Sequence, residues 1–302
     1  MDLTIILLNW NAAPDTLRCL REISAWQTLR PTVIVVDNAS SDDSATSIKA
    51  DFPRVHLIRN AVNLGFAEGN NQGLRAALTL GEAPILLLNN DASIGEADLF
   101  TLLRILETRP EIGFIGPLLY DGRDKNRLLA AGSKDPAKHH HSHNHTLTSR
   151  EPVQIVECVP GTAIIGRAAV FRQVGLLDEA YFFSSEVADL CLRARQQGFL
   201  SAISTEARVY HTLERSSDFR NSLYPYYIIR NRFLLIRKFH RRWALFYHGF
   251  WALYSLALSL KVQGAGQPSL AKAVRLGLLD GLRGRFGNQN ERVLRETMPV
   301  RR

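Results

Sequence analysis

The first 120 residues alternate between short apolar runs and longer amphipathic segments. Three runs, at residues 3–8, 33–36 and 85–88, have the length and apolar content of strands buried on both faces, and residues 55–58 predict a fourth strand. The segments that follow these runs predict helices, which begin at Pro14, at Asp42-Asp43, at residue 66 and at residue 96. This alternation predicts an α/β fold with a mostly parallel sheet flanked by helices.

Polar side chains stand where three of these strands end. They are Asn9 and Asn11 after the first strand, Asp37 and Asn38 after the second, and Asn90 and Asp91 after the fourth. Ligands of open α/β sheets bind beyond the carboxyl ends of the strands, and parallel strands present those ends along one edge. The pattern therefore predicts a ligand site along this edge of the sheet.

The turn after the first strand limits the choice of nucleotide-binding fold. Residues 8–14 contain no glycine, whereas a dinucleotide-binding fold needs a glycine-rich turn there so that its backbone can approach the pyrophosphate. The P-loop pattern is also absent from the sequence. A divalent cation can hold a diphosphate instead, with one or two carboxylates as ligands, and Asp91 stands at a strand end that suits this role.

The composition is globular and the net charge is basic. The 302 residues carry a net charge of +8, which favours phosphates, anionic lipid or nucleic acid as partners. No zinc-finger, RNA-recognition or helix-turn-helix signature is present, so nucleic acid is not an expected partner. Cys19, Cys158 and Cys191 are odd in number and far apart, which predicts neither a disulfide framework nor a zinc site. This cysteine usage, with no recognisable secretory signal, predicts a cytoplasmic protein.

Beyond residue 120 the pattern changes. Residues 121–152 are polar, include a histidine-rich tract at 138–145 and predict a mobile loop. A strand-like stretch follows from residue 153, and a helix is predicted over residues 187–197, ended by Gly198.

Six short motifs, taken in order, resemble family 2 glycosyltransferases of the GT-A fold, a Rossmann-like fold, and look most similar to the rhamnosyltransferase-like branch. The motifs are residues 35–40, 63–70, 88–91, 161–163 and 186–193, and His211. The resemblance implies a catalytic domain at 1–240, with a nucleotide-sugar half at 1–120 and an acceptor half at 153–240, and it leaves a basic amphipathic helical extension at 241–302. It also implies an inverting transferase that moves a sugar from a nucleotide-diphosphate sugar to a saccharide or lipid-linked saccharide, with Mn²⁺ or Mg²⁺, in bacterial surface-polysaccharide synthesis.

The resemblance also implies roles for single residues. The predicted nucleotide-sugar contacts combine the strand-end residues with those that match the family's nucleotide loop, and they are Asn9, Asn11, Asp37, Asn38, Asn63, Gly65, Phe66, Asn70 and Asn90. Asp37 matches the residue that hydrogen-bonds the base, although helix capping is an alternative role. Asp91 matches the last acid of the metal motif, in which Asn89 replaces a second acid. His211 matches a histidine that approaches the metal or the diphosphate.

The catalytic base is the least regular match. The family shows two adjacent acids here, but Val187 stands where the second acid removes the acceptor proton. Glu186 is the nearest carboxylate and the predicted base, with Asp189 as second candidate. For Asp189 the alternative is an ion pair with Arg193, four residues later on a helix. Because of Val187 and Asn89, a catalytically impaired nucleotide-sugar-binding or scaffold protein of the same fold stays an alternative function.

The C-terminal segment predicts contact with a membrane. Residues 243–260 carry no formal charge, and their aromatic residues recur at helical spacing at Trp243, Tyr247, Trp251 and Tyr254. Arginines and a lysine crowd residues 230–242, and such cations attract anionic lipid. We predict an interfacial helix pair at the inner face of the cell membrane. The alternatives are packing against the catalytic domain or in a homodimer, and a true membrane span.

Overall fold

The computed structural model describes residues 2–147, 151–212 and 218–297, with the backbone alone at 218–221. Two units divide the chain. The first comprises Met1–Asp135, His141–Leu177 and Val187–Leu213, and the second comprises Pro136–His140, Asp178–Glu186 and Glu214–Arg302. Parts of the predicted loops and of the predicted C-terminal extension fall on residues 148–150, 213–217 and 298–302, which lie outside the described residues.

A mixed sheet forms the centre of the first unit. Its strands are β1 Thr4–Asn9, β2 Thr32–Asp37, β3 His56–Arg59, β4 Ile85–Asn89, β5 Ala92–Ile94, β6 Ile112–Asp121, β7 Leu128–Ala130, β8 Val153–Val156, β9 Ala163–Gly166 and β10 Leu200–His211. The main path runs β3-β2-β1-β4-β9-β6-β10-β5, with β7 beside β6 and β8 beside β10. The first four strands of the path are parallel, whereas β9 runs antiparallel to both β4 and β6.

Helices cover both faces of this sheet. They are α1 Ala13–Ser24, α2 Ser44–Asp51, α3 Gly65–Leu80, α4 Glu96–Thr108, α5 Ala168–Val174 and α6 Glu186–Gln196. Successive residues of β1 point to opposite faces, so Ile5 packs with Leu20 of α1 while Ile6 packs with Leu74 of α3. The predicted α/β fold with a helix-flanked sheet is confirmed, and the helix predicted to begin at residue 96 begins there as α4.

Helix α3 lies unusually close to the sheet. A Cβ atom added at Gly73 would come within 2.5 Å of Ile6 Cγ2, and one added at Gly69 within 2.6 Å of Leu8 Cδ1. Only glycine therefore fits at these two positions without a shift of the Ile6 or Leu8 side chain. The close approach sets the first turn of α3 beside the carboxyl ends of β1 and β4.

The segment predicted as a loop at 121–152 contains regular pairing. β7 pairs with β6 inside it, and Ser133 forms isolated bridges with both His143 and Cys158. Ala130 and Ala131 are buried beneath these contacts. A three-residue strand is too short to produce a readable period in the sequence, so its pairing depends on β6. The mobility of this segment stays a prediction.

The second unit is helical. Its elements are the 3-10 helix Glu179–Tyr181, α7 Asp218–Phe239, the 3-10 helix Arg241–Trp243, α8 Ala244–Gly264, α9 Pro268–Arg283 and α10 Asn290–Thr297. Phe182, Tyr226, Tyr227, Ala273 and Val293 form its apolar centre. This unit includes α7 and so begins before residue 241, the predicted start of the helical extension. The division into a nucleotide-sugar half and an acceptor half stays a prediction.

Helix α8 buries one residue of the predicted aromatic stripe and exposes several leucines. Trp251 of the predicted aromatic stripe is buried, and its Nε1 donates to the carbonyl oxygen of Ala137 at 2.7 Å. Leu245, Leu253 and Leu260 are instead 91%, 71% and 70% exposed. Helical spacing locates a stripe but does not say which side packs. Across the described ranges, no helix has both the length and the apolar character that crossing a membrane requires.

Candidate functional site

Side-chain hydrogen bonds join the carboxyl ends of β1, β2 and β4. Asn9 Nδ2 donates to Asp37 Oδ1 at 2.9 Å and to Ser40 Oγ at 3.0 Å, while Asn9 Oδ1 accepts from Thr16 Oγ1 at 2.7 Å. Asn90 Nδ2 donates to the same Thr16 hydroxyl at 2.7 Å. The Asn9 amide is therefore occupied within the protein and orients Asp37 at the strand end. A direct contact of Asn9 with a ligand stays a prediction.

Asn38 holds the loop that precedes α3. Its Nδ2 donates to Asn63 Oδ1 and to the carbonyl oxygen of Gly65, both at 3.0 Å. Its Oδ1 accepts from Asn60 Nδ2 and from the backbone N–H of Leu64, also at 3.0 Å. Gly65 has φ +79°, a left-handed conformation that favours glycine. The predicted nucleotide loop is thus fixed to the end of β2 by one buried amide.

Asn11 connects the loops that follow β1 and β2. Its side-chain Oδ1 accepts from the backbone N–H of Ser41 at 2.7 Å, and its own backbone N–H donates to Ser40 Oγ at 2.9 Å. Asn11 and Ala39 both have positive φ, at 49° and 63°. These two tight turns bring the loops together at the exposed rim of the strand ends.

An open cleft lies over the end of β4. It encloses about 460 Å³, open solvent included, and is lined by Leu8, Phe66, Asn70, Leu87, Leu88, Asn89, Asn90 and Asp91. Four predicted residues from two separate motifs meet here, namely Phe66 and Asn70 from residues 63–70, and Asn90 and Asp91 from residues 88–91. Asn70 Nδ2 donates to the carbonyl oxygen of Phe66 at 2.9 Å, which ties the first turn of α3 together.

Asp91 and His211 form a pair at the same edge of the sheet. β5 follows Asp91 directly and pairs antiparallel with β10, so that Ala92 lies opposite His211. This register places Asp91 Oδ1 3.0 Å from His211 Nε2, with the side chains 22% and 14% exposed. Two residues that are remote in sequence are thereby brought within the separation of two ligands of one ion.

The donor set fits a divalent cation only if a substrate supplies further ligands. A carboxylate oxygen and an imidazole nitrogen suit Mn²⁺ or Mg²⁺, which commonly complete their shells with phosphate oxygens and water. Among the residues that the structure describes, no group of three or more His, Cys, Asp or Glu side chains could hold an ion. The pair Asp91–His211 therefore suits a metal bound together with a diphosphate.

The predicted base region combines a buried acid with an apolar neighbour. Glu186 is the first residue of α6 and is 6% exposed. Val187 lies in the apolar core of the first unit, where a Cβ atom added at Gly161 would be 3.3 Å from its Cγ2. The side chain at 187 is therefore a packing residue in this protein.

Asp189, the second predicted base, has a structural partner. Its Oδ2 accepts from Arg193 Nε at 2.9 Å, and its side chain is fully buried. Arg193 also donates to the carbonyl oxygens of Val174 and Leu176, at 2.6 and 2.5 Å. The ion pair expected as the alternative for Asp189 is formed, and it fastens α6 to the end of α5.

Sequence reasoning missed three residues of this network. Thr16 bridges Asn9 and Asn90, Ser40 serves Asn9 and Asn11, and Asn60 supports Asn38. The sequence signal available for Thr16 was a hydroxyl side chain in the first turn of the helix predicted to begin at Pro14. The other two lie in polar loops, where nothing in the local pattern distinguishes them from solvated residues.

This arrangement is that of GT-A sugar transferases that use nucleotide donors. It comprises the parallel strand ends, the fixed loop before α3 and the Asp–His pair. The family model of glycosyl transferase family 2 matches residues 4–175, and the chain belongs to this family.

Curated relatives share about a quarter of their residues with this chain. The low-salt glycan biosynthesis hexosyltransferase Agl10 of Haloferax volcanii is 26% identical, over 77% of this chain and 75% of its own length. N-acetylglucosaminyl-diphospho-decaprenol L-rhamnosyltransferase of Mycobacterium tuberculosis is 26% identical, over 69% and 75%. The dTDP-rhamnosyl transferase RfbF of Shigella flexneri is 26% identical, over 69% and 71%.

Solved structures share the fold at lower identity. The mannosyltransferase PcManGT from Pyrobaculum calidifontis, in complex with GDP-Man and Mn²⁺, superposes with a TM-score of 0.59 at 15% identity, over 94% of this chain and 87% of its own. GalNAc-T7 with UDP, GalNAc and Mn²⁺ gives the same TM-score of 0.59 at 14% identity. This chain covers less than half of GalNAc-T7, 44% of its length.

Proposed function

We propose that this protein is an inverting, divalent-metal-dependent glycosyltransferase that moves a hexose or deoxyhexose from a nucleotide-diphosphate sugar to a saccharide or lipid-linked saccharide. The observation that carries the proposal is the 3.0 Å approach of Asp91 Oδ1 to His211 Nε2 beside the cleft at the end of β4. Relatives named for rhamnosyl and hexosyl transfer, one of them to a diphospho-decaprenol acceptor, support a role in cell-surface polysaccharide synthesis.

Each residue would have a separate role in one displacement at the anomeric carbon. The acceptor hydroxyl oxygen forms a bond to the anomeric carbon while the bond from that carbon to the diphosphate oxygen breaks, and the electron pair leaves with the nucleoside diphosphate. Glu186 takes the proton of the acceptor hydroxyl. Asp37 orients the base of the donor, with Asn9 holding its carboxylate. A cation held by Asp91 and His211 would supply positive charge to the departing diphosphate.

The alternative function is binding without turnover. The burial of Val187 in the core and the neutral Asn89 before Asp91 favour it, because each replaces an acid of the family pattern. Such a protein would hold a nucleotide sugar and leave its glycosidic bond intact.

The test is nucleotide release from dTDP-rhamnose, UDP-N-acetylglucosamine and GDP-mannose, with Mn²⁺ or Mg²⁺ and a synthetic N-acetylglucosaminyl-diphosphate lipid as acceptor. We expect metal-dependent release from one donor. Asp91→Ala and His211→Ala should each lower it by about 100-fold, the effect of losing an electrostatic stabiliser of the leaving group. Glu186→Gln should lower it by about 100-fold or more.

A matched control for the histidine is His56→Ala, because His56 is an exposed residue on β3. It should keep wild-type activity. Full activity of Asp91→Ala and His211→Ala would contradict the proposed diphosphate site, and full activity of Glu186→Gln would contradict the proposed base. Tight donor binding without release from any donor would favour the binding function.

We also propose that α8 rests on anionic lipid at the inner face of the cell membrane. Its exposed apolar residues, which include Leu245, Leu253 and Leu260, lie between the exposed cations Arg242 and Lys261. Apolar burial with flanking positive charge is the pattern of an interfacial helix. A second copy of this basic chain would bring like charges together at this face, so a homodimer is the less favoured occupant.

A further inference from the structure

The backbone before Glu186 is held in an unfavourable conformation. Phe182, Ser184 and Ser185 have φ of +60°, +70° and +74°, in the left-handed region that residues with a side chain rarely adopt. Three such residues within four positions are costly for the chain by itself. Contacts from elsewhere must therefore stabilise this loop, which runs directly into the first residue of α6.

One side chain of α7 supplies most of these contacts. Asn231 Nδ2 donates to the carbonyl oxygens of Tyr181, Phe183 and Ser184, at 3.2, 2.8 and 2.7 Å. Asn231 is fully buried, so no water can take over these bonds without a rearrangement. A single amide thus faces three carbonyls of one short loop.

The neighbouring Arg230 orients this amide and holds the residues before the loop. Its Nε donates to Asn231 Oδ1 at 2.9 Å, and its Nη2 donates to the carbonyl oxygens of Ala180 and Tyr181 at 3.2 and 2.8 Å. The buried guanidinium lies 4.6 Å from the centre of the Tyr227 ring, which itself stacks on Phe182. The Asn231 amide is therefore fixed on both of its ends.

We infer that Asn231, supported by Arg230, is a positioning residue for sugar transfer, because it fixes the left-handed loop that delivers Glu186. The inference rests on the proposed function, in which Glu186 is the base. The inference gives α7 a part in the reaction, although α7 lies more than 30 residues after Glu186 and contains none of the family motifs identified above. An ordinary core residue would stabilise the unit without affecting Glu186 in particular.

Hydrogen exchange tests the structural half of this inference without any donor. Asn231→Asp keeps the shape of the side chain but removes the donors, and Asn231→Ala removes the group. Both should raise amide exchange over residues 181–187 by about tenfold or more, since local opening becomes easier. The control is Arg237→Gln on the same helix, which removes the bonds of Arg237 Nη2 to the carbonyl oxygens of Gly281 and Leu282, on α9 rather than in the loop.

A double-mutant cycle tests the catalytic half. In the wild-type background, Asn231→Asp should lower kcat per folded molecule about 100-fold, the effect of misplacing a catalytic group by about 1 Å, with the donor KM changed less than about threefold. In the Glu186→Gln background the same change should cost less than about threefold, because the group it positions is already absent. Arg237→Gln should keep wild-type kcat.

Three results would overturn the inference or separate it from the proposed function. Unchanged exchange over residues 181–187 in both variants would show that Asn231 does not hold the loop. Multiplicative losses in the cycle would show that it does not act through Glu186. Full activity of Glu186→Gln would refute the proposed base, and the exchange data would then still decide whether Asn231 fixes this loop.

Discussion

Replacing Asn38 by alanine should destabilise the first unit by about 2–3 kcal/mol. The side chain makes four hydrogen bonds at 3.0 Å, and it is 1% exposed. Its bonds to the backbone of Leu64 and Gly65 contribute about 1 kcal/mol each, because their loss leaves backbone groups without a partner. The bonds to Asn60 and Asn63 contribute less, because these half-buried amides regain water. At about 2–4 °C per kcal/mol, the unit should melt roughly 4–12 °C lower.

Urea unfolding followed by circular dichroism measures this loss, and Asn60→Ala is its matched control. Asn60→Ala removes only the bond from the half-buried Asn60 side chain to Asn38 and should cost about 0.5–1 kcal/mol. Donor affinity should also fall in Asn38→Ala, because the loop before α3 is no longer fixed to β2. A loss below about 0.5 kcal/mol for Asn38→Ala, or an equal loss in both variants, would refute the reasoning.

Three further predictions concern other parts of the chain. The backbone N–H groups of Leu29, Thr28 and Gln27 donate to Glu96 and hold the pKa of its carboxyl below the ordinary value. The folded state therefore gains stability from the ionised Glu96. This gain is complete above the pKa of the unfolded chain and is lost as the pH falls through the lowered pKa of the folded protein. Glu96→Gln should remove that part of the acid dependence of the urea midpoint, and an unchanged dependence would contradict it. Asp189→Asn should cost about 3 kcal/mol in urea unfolding by leaving Arg193 without its buried partner, and a loss below about 1 kcal/mol would contradict this. Leu253→Ser should weaken sedimentation with phosphatidylglycerol vesicles about tenfold, and equal binding would exclude this face of α8 as the contact.

Local patterns predicted the parts of the fold that depend on local physics. The strands β1, β2 and β4 are visible because a strand inside a parallel sheet is apolar on both faces, whereas β3 is an edge strand with His56 and Arg59 exposed. The ion pair of Asp189 with Arg193 was open to prediction because a helix places residues four apart on one side. The aromatic stripe of α8 was visible in the sequence, but the period of a helix does not identify its packed side, and Trp251 is buried with its indole N–H donating to Ala137.

The candidate site also has a part that local patterns predicted and a part that depends on long-range contacts. Asp37, Asp91 and His211 were identified as single residues, because motif and strand end are both properties of the sequence. The 3.0 Å approach of Asp91 to His211 depends on the antiparallel pairing of β5 with β10, which is a long-range contact. No local pattern encodes that register.

The sequence by itself determined the residues proposed to carry the chemistry, the first four strands with the helices that follow them, and the family. Tertiary structure alone decided which amides are used inside the protein, as in Asn9 and Asn38, and which hold a strained loop, as in Asn231. The physical reason is that an asparagine reads the same in the sequence whether its amide bonds a ligand, a carbonyl oxygen of the protein or water. Only the folded chain determines which of these partners lies within 3 Å.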